Sequence, residues 1–171
     1  VHMGPVEVAL RQKRGQAATV PLAVVSQSLR FPEDARWLRA PDSIVLTHDQ
    51  AIEANPAGAD WLSERVEVVS LGPDSVEPAD LIGYLSRRGL TRIVCEGGPR
   101  LAGSLIGAGL IDRIYMTLAP MLVGPGPDRM AAGDWEPLRT GVEVGSAKGS
   151  PMRLHQILVS DGVLFLTYER C

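Results

Sequence analysis

The sequence has few of the residues that metal sites, disulfide frameworks and nucleic-acid surfaces require. It holds two cysteines and three histidines in 171 residues, and these share no ligand spacing, so we expect no metal site. The wide separation of Cys95 and Cys171 argues against a disulfide framework and favours a reducing cytoplasm. The net charge is −3 and the basic residues are not gathered on one predicted face, which argues against nucleic-acid binding.

Long apolar runs are also absent. No run approaches the roughly 20 residues of a membrane-spanning helix, and no signal peptide is recognisable, so we expect a cytoplasmic protein that does not enter a membrane. Only 5% of the residues are aromatic, so the core must consist mainly of Val, Leu, Ile and Ala. The chain length suits one domain, and we expect residues 1–171 to form it.

Short β-branched runs alternate with helical stretches through most of the chain. This alternation predicts an α/β fold with a mostly parallel central sheet flanked by helices. The expected strands are 21–26, 43–48, 65–71, 91–96 and 112–119, and the expected helices are 5–14, 49–55, 59–65 and 79–88, the last capped by Ser75 and ended by Gly89. At the end of the chain, 153–159 and 163–170 are joined by Ser-Asp-Gly and predict an antiparallel hairpin. The Gly- and Pro-rich stretch 124–150 predicts a loop.

The segment Cys-Glu-Gly-Gly-Pro at 95–99 carries the most informative polar pattern. Gly97 and Gly98 follow a predicted strand, where glycine allows a sharp turn and the close approach of a ligand. Pro99 stands where helices favour proline, and the free amides of a helix start attract phosphate. Glu96 would accept hydrogen bonds from an amide or amino group of a substrate. The alternatives are a plain strand-to-helix corner and a solvated surface acid.

Two hydroxyl groups stand at the ends of other predicted strands. Ser26 closes the run 21–26 and Thr47 lies near the end of 43–48, at the edge of the sheet where α/β folds bind ligands. Each could contact a nucleotide or cap the following segment, and for Thr47 the cap is favoured. Cys95 is expected to be a small buried hydrophobe.

The run CEGGPRLAGSLIGAGLIDRIYMTLAPMLVG resembles a segment of the reductase domain found in bifunctional riboflavin-biosynthesis deaminase-reductases, namely EGGP-x-LAGS and the strand after it. PLAVVSQSLRFP is similar to the family's strand ending in Ser, and LHQILVSDGVLFLTYER to its closing hairpin. The resemblance covers almost the whole chain. It implies a dihydrofolate-reductase-like fold, a homodimer, and NADPH-dependent reduction of the ribose of a phosphoribosylamino-pyrimidine.

The resemblance also implies roles for individual residues, although it singles out no catalytic residue. Glu96 would face the substrate, and Ser28 and Arg30 are candidates, with Ser26, for the extra ribose phosphate of NADPH. The chemistry would be direct hydride transfer, in which the protein aligns donor and acceptor. The residues that would bind the dinucleotide are Ser26, Gly97, Gly98, Pro99, Arg100, Leu101, Ala102, Gly103 and Ser104. Thr47 is a further candidate for cofactor binding, from its position at a strand end rather than from the resemblance.

Two features of the family have no counterpart in this sequence. The amino-terminal section with its SLDG and VGAGT motifs is not found, so we expect the family's N-terminal strands to be missing from the chain. The Asp-x-Pro-x-Leu-x-x-Arg segment that contacts the substrate phosphate is not recognisable either. The substrate therefore stays open between the riboflavin pyrimidine and a pterin such as dihydrofolate. A non-catalytic nucleotide-binding module of the same fold is the alternative from another class.

Overall fold

The structure, a computed structural model, describes residues 4–121, 131, 142–144, 147–149 and 151–171. The chain divides into two compact units, Val1–Arg88 and Gly89–Cys171. That the whole chain forms a single domain stays a prediction. In the described part of the chain, no helix combines the length and the apolar character that a membrane crossing needs.

The first unit is a three-stranded parallel sheet with helices. The sheet has the order β1-β2-β3, and its central strand β2 is buried along its whole length, which is why its sequence is a continuous apolar run rather than an alternating one. The elements of this unit are α1 (Pro5–Lys13), β1 (Leu22–Val25), a 3₁₀ helix (Arg36–Arg39), β2 (Ser43–Thr47), α2 (Asp49–Ala54), α3 (Pro56–Ser63), β3 (Glu67–Ser70) and α4 (Pro78–Arg87).

The core of the first unit lies between β2 and α3. It is built from aliphatic side chains, as the scarcity of aromatic residues predicts. Phe31 and Trp37 border it in an edge-to-face pair with ring centroids 4.9 Å apart. The buried members of the core are Leu29, Leu38, Val45, Ala59, Leu62 and Val66.

The second unit contains one helix and two antiparallel sheets among its described residues. Its larger sheet has the order β4-β8-β7, and a second pair joins β5 to β6. The predicted hairpin is confirmed, and Asp161 (φ 49°) and Gly162 (φ 79°) form the two-residue turn, because two positive φ angles match the twist of the flanking strands. The elements are α5 (Pro99–Gly107), β4 (Arg113–Leu118), β5 (Val142–Val144), β6 (Ala147–Gly149), β7 (Met152–Ser160) and β8 (Val163–Arg170).

The α/β fold class is confirmed, but one predicted strand is not formed. Residues 91–96 belong to no strand, and Ile93 and Val94 are 41% and 74% exposed. Cys95, expected to be buried, is exposed as well. A β-branched run forms a strand only where a neighbouring strand pairs with it, and among the described residues none pairs with this run.

Two smaller predictions also differ from the structure. The N-cap of α4 is Glu77 rather than Ser75, and the Ser75 hydroxyl instead donates to the Glu77 carboxylate over 2.7 Å. The predicted loop 124–150 includes β5 and β6, while the rest of it, apart from residue 131, lies outside the described residues. Gly89 does end α4 as predicted, since its φ of 79° is the left-handed conformation that follows a helix.

Candidate functional site

The carboxyl ends of the three parallel strands form the first group of candidate residues. Ser26 follows β1, Thr47 ends β2 and Ser70 ends β3. Their backbones are linked, because the Ser26 N–H donates to the Leu46 carbonyl over 3.0 Å and the Leu71 N–H donates to the Thr47 carbonyl over 2.9 Å. Ligands of open α/β sheets bind outside this edge. The structure therefore brings Ser26 and Thr47 to one edge of the first unit, as the sequence predicted.

Ser26 organises the chain that follows β1. Its half-buried hydroxyl oxygen accepts the N–H groups of Ser28 over 3.3 Å and of Leu29 over 3.1 Å. This is the capping role that the sequence left open for Ser26. The hydroxyl can still donate its own hydrogen to a ligand, because a hydroxyl has one donor in addition to its acceptor sites.

The imidazole of His48 and the hydroxyl of Thr47 have different roles at the end of β2. The favoured cap by Thr47 is wrong, because His48 caps α2 with Nδ1, which accepts the Ala51 N–H over 3.2 Å. Thr47 is completely buried, and Oγ1 has no hydrogen-bond partner among the described residues. A buried hydroxyl without a partner is costly, and because Oγ1 is enclosed, it is not exposed to a ligand at this edge.

The second group of candidate residues lies at the start of α5 in the second unit. Gly98 is the N-cap with φ −59° and ψ 169°, and Pro99 begins the helix. The N–H groups of Arg100 and Leu101 lie in the first helical turn, where no carbonyl of the helix can accept them. Together with the helix dipole they favour an anion. Glu96, Gly97 and Gly98 are exposed in front of them.

The two glycines of this group differ in what the fold requires of them. A Cβ atom added to Gly97 would lie 2.8 Å from Cδ2 of Leu101, so Gly97 is packed against α5. A Cβ atom added to Gly98 would meet no described atom within 4 Å, and its φ suits any residue. Packing against described atoms and backbone conformation do not require the glycine at 98, which is a residue that helix N-caps favour and which leaves room for a ligand.

The remaining predicted residues are mostly internal to α5. Gly103 is buried, Leu101 and Ala102 are half-buried, and the Ser104 hydroxyl donates to the Arg100 carbonyl over 3.0 Å. Such a bond to the preceding turn is common for serine inside a helix. Arg100 is exposed and carries a charge opposite to that of a phosphate. The exposed part of the predicted group is therefore Glu96–Gly98 with Arg100 and Ser104.

A charged cluster at the amino end of the parallel sheet was not predicted. The Arg88 guanidinium donates to both carboxylate oxygens of Glu67 over 2.6 and 2.7 Å, and the Tyr84 hydroxyl donates to Glu67 over 3.0 Å. The hydrogen bond from Arg88 lowers the pKa of Glu67 below its ordinary value of 4.5, with help from Tyr84. A polar cleft of about 400 Å³ lies beside this cluster, at the edge opposite to Ser26 and Thr47. The spacing of Tyr84 and Arg88 on one helix face was the available signal.

A second unpredicted cluster lies on the larger antiparallel sheet. Glu169 of β8 is only 16% exposed and has Arg113 of β4 at 2.5 Å, with Arg153 and His155 of β7 each at 3.4 Å. Arg113 and Arg153 are both paired with Glu169 in the strand register. The cluster therefore follows from the strand pairing, which the linear sequence does not display.

The parallel sheet, the antiparallel hairpin sheet and the Gly-Gly-Pro helix start define an α/β protein, and a solved structure has the same fold. A pyrimidine reductase-like protein of Corynebacterium diphtheriae aligns with 99% of this chain and 68% of its own, with a TM-score of 0.79 and 21% identity. At that identity the likeness concerns the fold alone.

The chain belongs to the RibD C-terminal domain family, whose sequence model matches residues 5–147. It is 29% identical to a 2,5-diamino-6-ribosylamino-4(3H)-pyrimidinone 5′-phosphate reductase of Archaeoglobus fulgidus over 114 residues, which cover 67% of the chain and 51% of that relative. A relative of the same name from Methanothermobacter thermautotrophicus is 33% identical over 105 residues, which cover 61% and 48%. The chain thus spans about half the length of the curated relatives it matches.

Proposed function

We propose that this chain is an NADPH-dependent reductase that transfers a hydride to a phosphoribosylamino-pyrimidine of riboflavin biosynthesis. Family membership and the names of the archaeal relatives support this substrate class. The observation that carries the proposal is that a Cβ atom at Gly98 would meet no described atom within 4 Å, in front of first-turn amides that no carbonyl of α5 accepts. Glycine there is required by neither the backbone nor the packing, and it leaves room for a pyrophosphate at a helix start.

The start of α5 in the second unit fits the pyrophosphate of a dinucleotide. Gly97, Gly98 and the first turn of α5 would hold the pyrophosphate, with Arg100 as an exposed cation. Ser26 and Thr47 are proposed as cofactor contacts on the first unit, where the Ser26 hydroxyl still has its own hydrogen to donate. The other members of the group, from Pro99 to Ser104, would support this geometry as parts of α5. When bound, NADPH supplies the hydride.

The role proposed for the chain's own residues is binding and orientation. Hydride transfer needs donor and acceptor carbons held in contact, and correct placement alone can contribute a large part of the rate acceleration. Glu96 precedes the glycines directly and is exposed, so it is the residue we propose to bind the pyrimidine, by accepting hydrogen bonds from its amino or ring N–H groups.

We also propose that the protein forms a homodimer in the cytoplasm. One face of the larger antiparallel sheet is apolar, and its exposed members include Leu118 (55%), Ile157 (50%) and Val159 (67%). A second copy would remove this surface from water. Cys95 and Cys171 are both free thiols and both exposed, as suits a reducing compartment.

The proposal is tested by titrating the chain with NADPH and following nicotinamide fluorescence. Gly98→Asp should abolish binding, because a carboxylate then occupies the space of the phosphate, and Gly98→Ala should weaken it by about tenfold. Ala79→Asp is the matched control, since it adds the same charge to the first turn of α4, where no ligand is proposed. Unfolding curves should show that both Gly98 variants remain folded, because added atoms meet open space.

The oxidation of bound NADPH by added substrates separates the alternatives. Oxidation by the riboflavin-pathway pyrimidine supports the proposal, and oxidation by dihydrofolate alone would make the protein a pterin reductase. Binding without oxidation by either would leave a non-catalytic nucleotide-binding module. NADPH affinity that is absent, or that is the same in Gly98→Asp and Ala79→Asp, would overturn the proposed site.

A further inference from the structure

The loop that follows β1, residues 26–31, combines exposed polar residues with one deeply buried residue. Gln27, Ser28 and Arg30 are exposed, whereas Leu29 between them is 2% exposed and belongs to the core. Leu29 also has a φ of 53°, in the left-handed region that leucine rarely adopts. Such a conformation costs free energy and persists only where the surrounding structure holds it.

Asn55 holds this loop from a distant part of the sequence. Its Nδ2 group donates to the Ser28 carbonyl over 3.0 Å and to the Leu29 carbonyl over 3.3 Å. Its Oδ1 atom accepts the Gly58 N–H over 3.1 Å and so caps α3. One half-buried amide therefore ties the loop after β1 to the first turn of a helix.

Gly58 permits this contact by having no side chain. A Cβ atom at Gly58 would lie 2.8 Å from the Leu29 carbonyl oxygen and would overlap the Asn55 amide. The loop can approach α3 this closely only while residue 58 is glycine. The Ser26 hydroxyl, the Leu29 side chain and the Asn55 amide thus constrain the loop at three points.

We propose that Asn55, with Gly58, is a positioning residue that holds Ser28 and Arg30 in the arrangement that binds the extra ribose phosphate of NADPH. This inference rests on the proposed function. A hydroxyl and a guanidinium on either side of a fixed residue suit a phosphomonoester, which accepts hydrogen bonds from both. Binding to a flexible loop costs free energy because the loop must become ordered. Asn55 orders the loop in advance, so it raises the affinity although it does not contact the ligand.

Two variants separate the loop contact from the helix cap. Asn55→Ser and Asn55→Asp both retain an oxygen that can accept the Gly58 N–H, and both are good N-caps, but both lack the amide group whose two hydrogens serve the two loop carbonyls: ionised aspartate has no donor, and serine has a single hydrogen on a shorter side chain. The serine variant is neutral, so its effect cannot be attributed to repulsion of the phosphate. The first measurement is amide hydrogen exchange without cofactor. Exchange should rise by about tenfold or more in residues 27–31 and stay unchanged in α3.

The second measurement is the affinity for NADPH and for NADH. Asn55→Ser should lower the affinity for NADPH by about tenfold and leave the affinity for NADH nearly unchanged, because NADH lacks the extra phosphate. A general destabilisation of the fold would instead lower the affinity for both cofactors equally. Combined with Arg30→Ala, the serine substitution should cost less affinity than it costs alone, because only its effect on Ser28 then remains.

The results distinguish this inference from the function on which it depends. If the unmodified chain binds no NADPH, the proposed function is overturned and this inference with it. If the unmodified chain binds NADPH, but both Asn55 variants leave loop exchange or the NADPH-to-NADH affinity ratio unchanged, only the inference is overturned. Raised exchange, a changed ratio and non-additivity with Arg30→Ala together support it.

Discussion

Gly58→Ala should destabilise the protein, although alanine is normally the better residue inside a helix. In an unconstrained helix the change would add about 0.5–1 kcal/mol of stability. Here the new Cβ atom would lie 2.8 Å from the Leu29 carbonyl oxygen and overlap the Asn55 amide. The Asn55 cap is worth about 1 kcal/mol, and each of its two bonds to the loop is worth about 1 kcal/mol. Disruption of these hydrogen bonds outweighs the better helix propensity of alanine, and we expect a net loss of about 2 kcal/mol.

Urea unfolding of four proteins measures this destabilisation and its origin. The proteins are the unmodified chain, Gly58→Ala, Asn55→Ala and the double variant. In the Asn55→Ala background the cap and the loop bonds are already gone, so Gly58→Ala should cost less than about 1 kcal/mol there. The control is Gly83→Ala in α4, where the added Cβ atom would meet only the flexible end of Arg87 at 3.3 Å and stability should rise.

A Gly58→Ala variant that is stabilised, as Gly83→Ala is expected to be, would refute this explanation. Additive effects of the Gly58 and Asn55 substitutions would refute it too, because the two residues would then not share the contact with the loop.

Two further predictions concern charge and association. Arg88 lowers the pKa of Glu67, so ionised Glu67 stabilises the folded state at neutral pH, and this contribution is lost as the pH falls below about 4.5. In urea unfolding at a series of pH values, the free energy of unfolding of the unmodified chain should exceed that of Glu67→Gln by less than about 1 kcal/mol, because the Arg88–Glu67 pair is largely exposed, and this difference should vanish in acid. A difference that does not depend on pH would contradict this cause. Sedimentation should show a dimer that Ile157→Lys dissociates, while Leu10→Lys, at a site of almost equal exposure, leaves it intact; a monomeric unmodified chain contradicts the homodimer.

Much of the fold could be predicted because its signals are local. The buried strand β2 is a continuous apolar run, and the hairpin carries its turn in the residues Ser-Asp-Gly, so both were found within one or two residues of their bounds. The positions of Ser26 and of the start of α5 could be predicted for the same reason, since strand ends and helix starts are themselves local features.

The contacts that hold the candidate site were not predictable, because they join residues far apart in sequence. Asn55 is 27 residues from Ser28. From the sequence alone its amide suggests only a helix cap, and its contact with the loop after β1 is visible only in the structure. The left-handed conformation of Leu29 has no local signal either, because leucine rarely adopts it. At the end of β2, the sequence favoured Thr47 as the cap of the following segment, but the imidazole of His48 is the cap in the structure.

The run 91–96, which contains the candidate substrate residue Glu96, has a local preference for a strand that the structure does not fulfil. Its β-branched residues favour a strand, but a strand also needs a neighbour to accept its backbone hydrogen bonds, and the described residues provide none. Gly98 and Arg100 take their positions from α5, which is formed, whereas Glu96 follows directly from this run. Pairing of residues 91–96 with a strand would therefore fix the position of Glu96 much more than that of Gly98. We accordingly expect substrate binding to depend on the pairing of residues 91–96 with a strand more strongly than cofactor binding does.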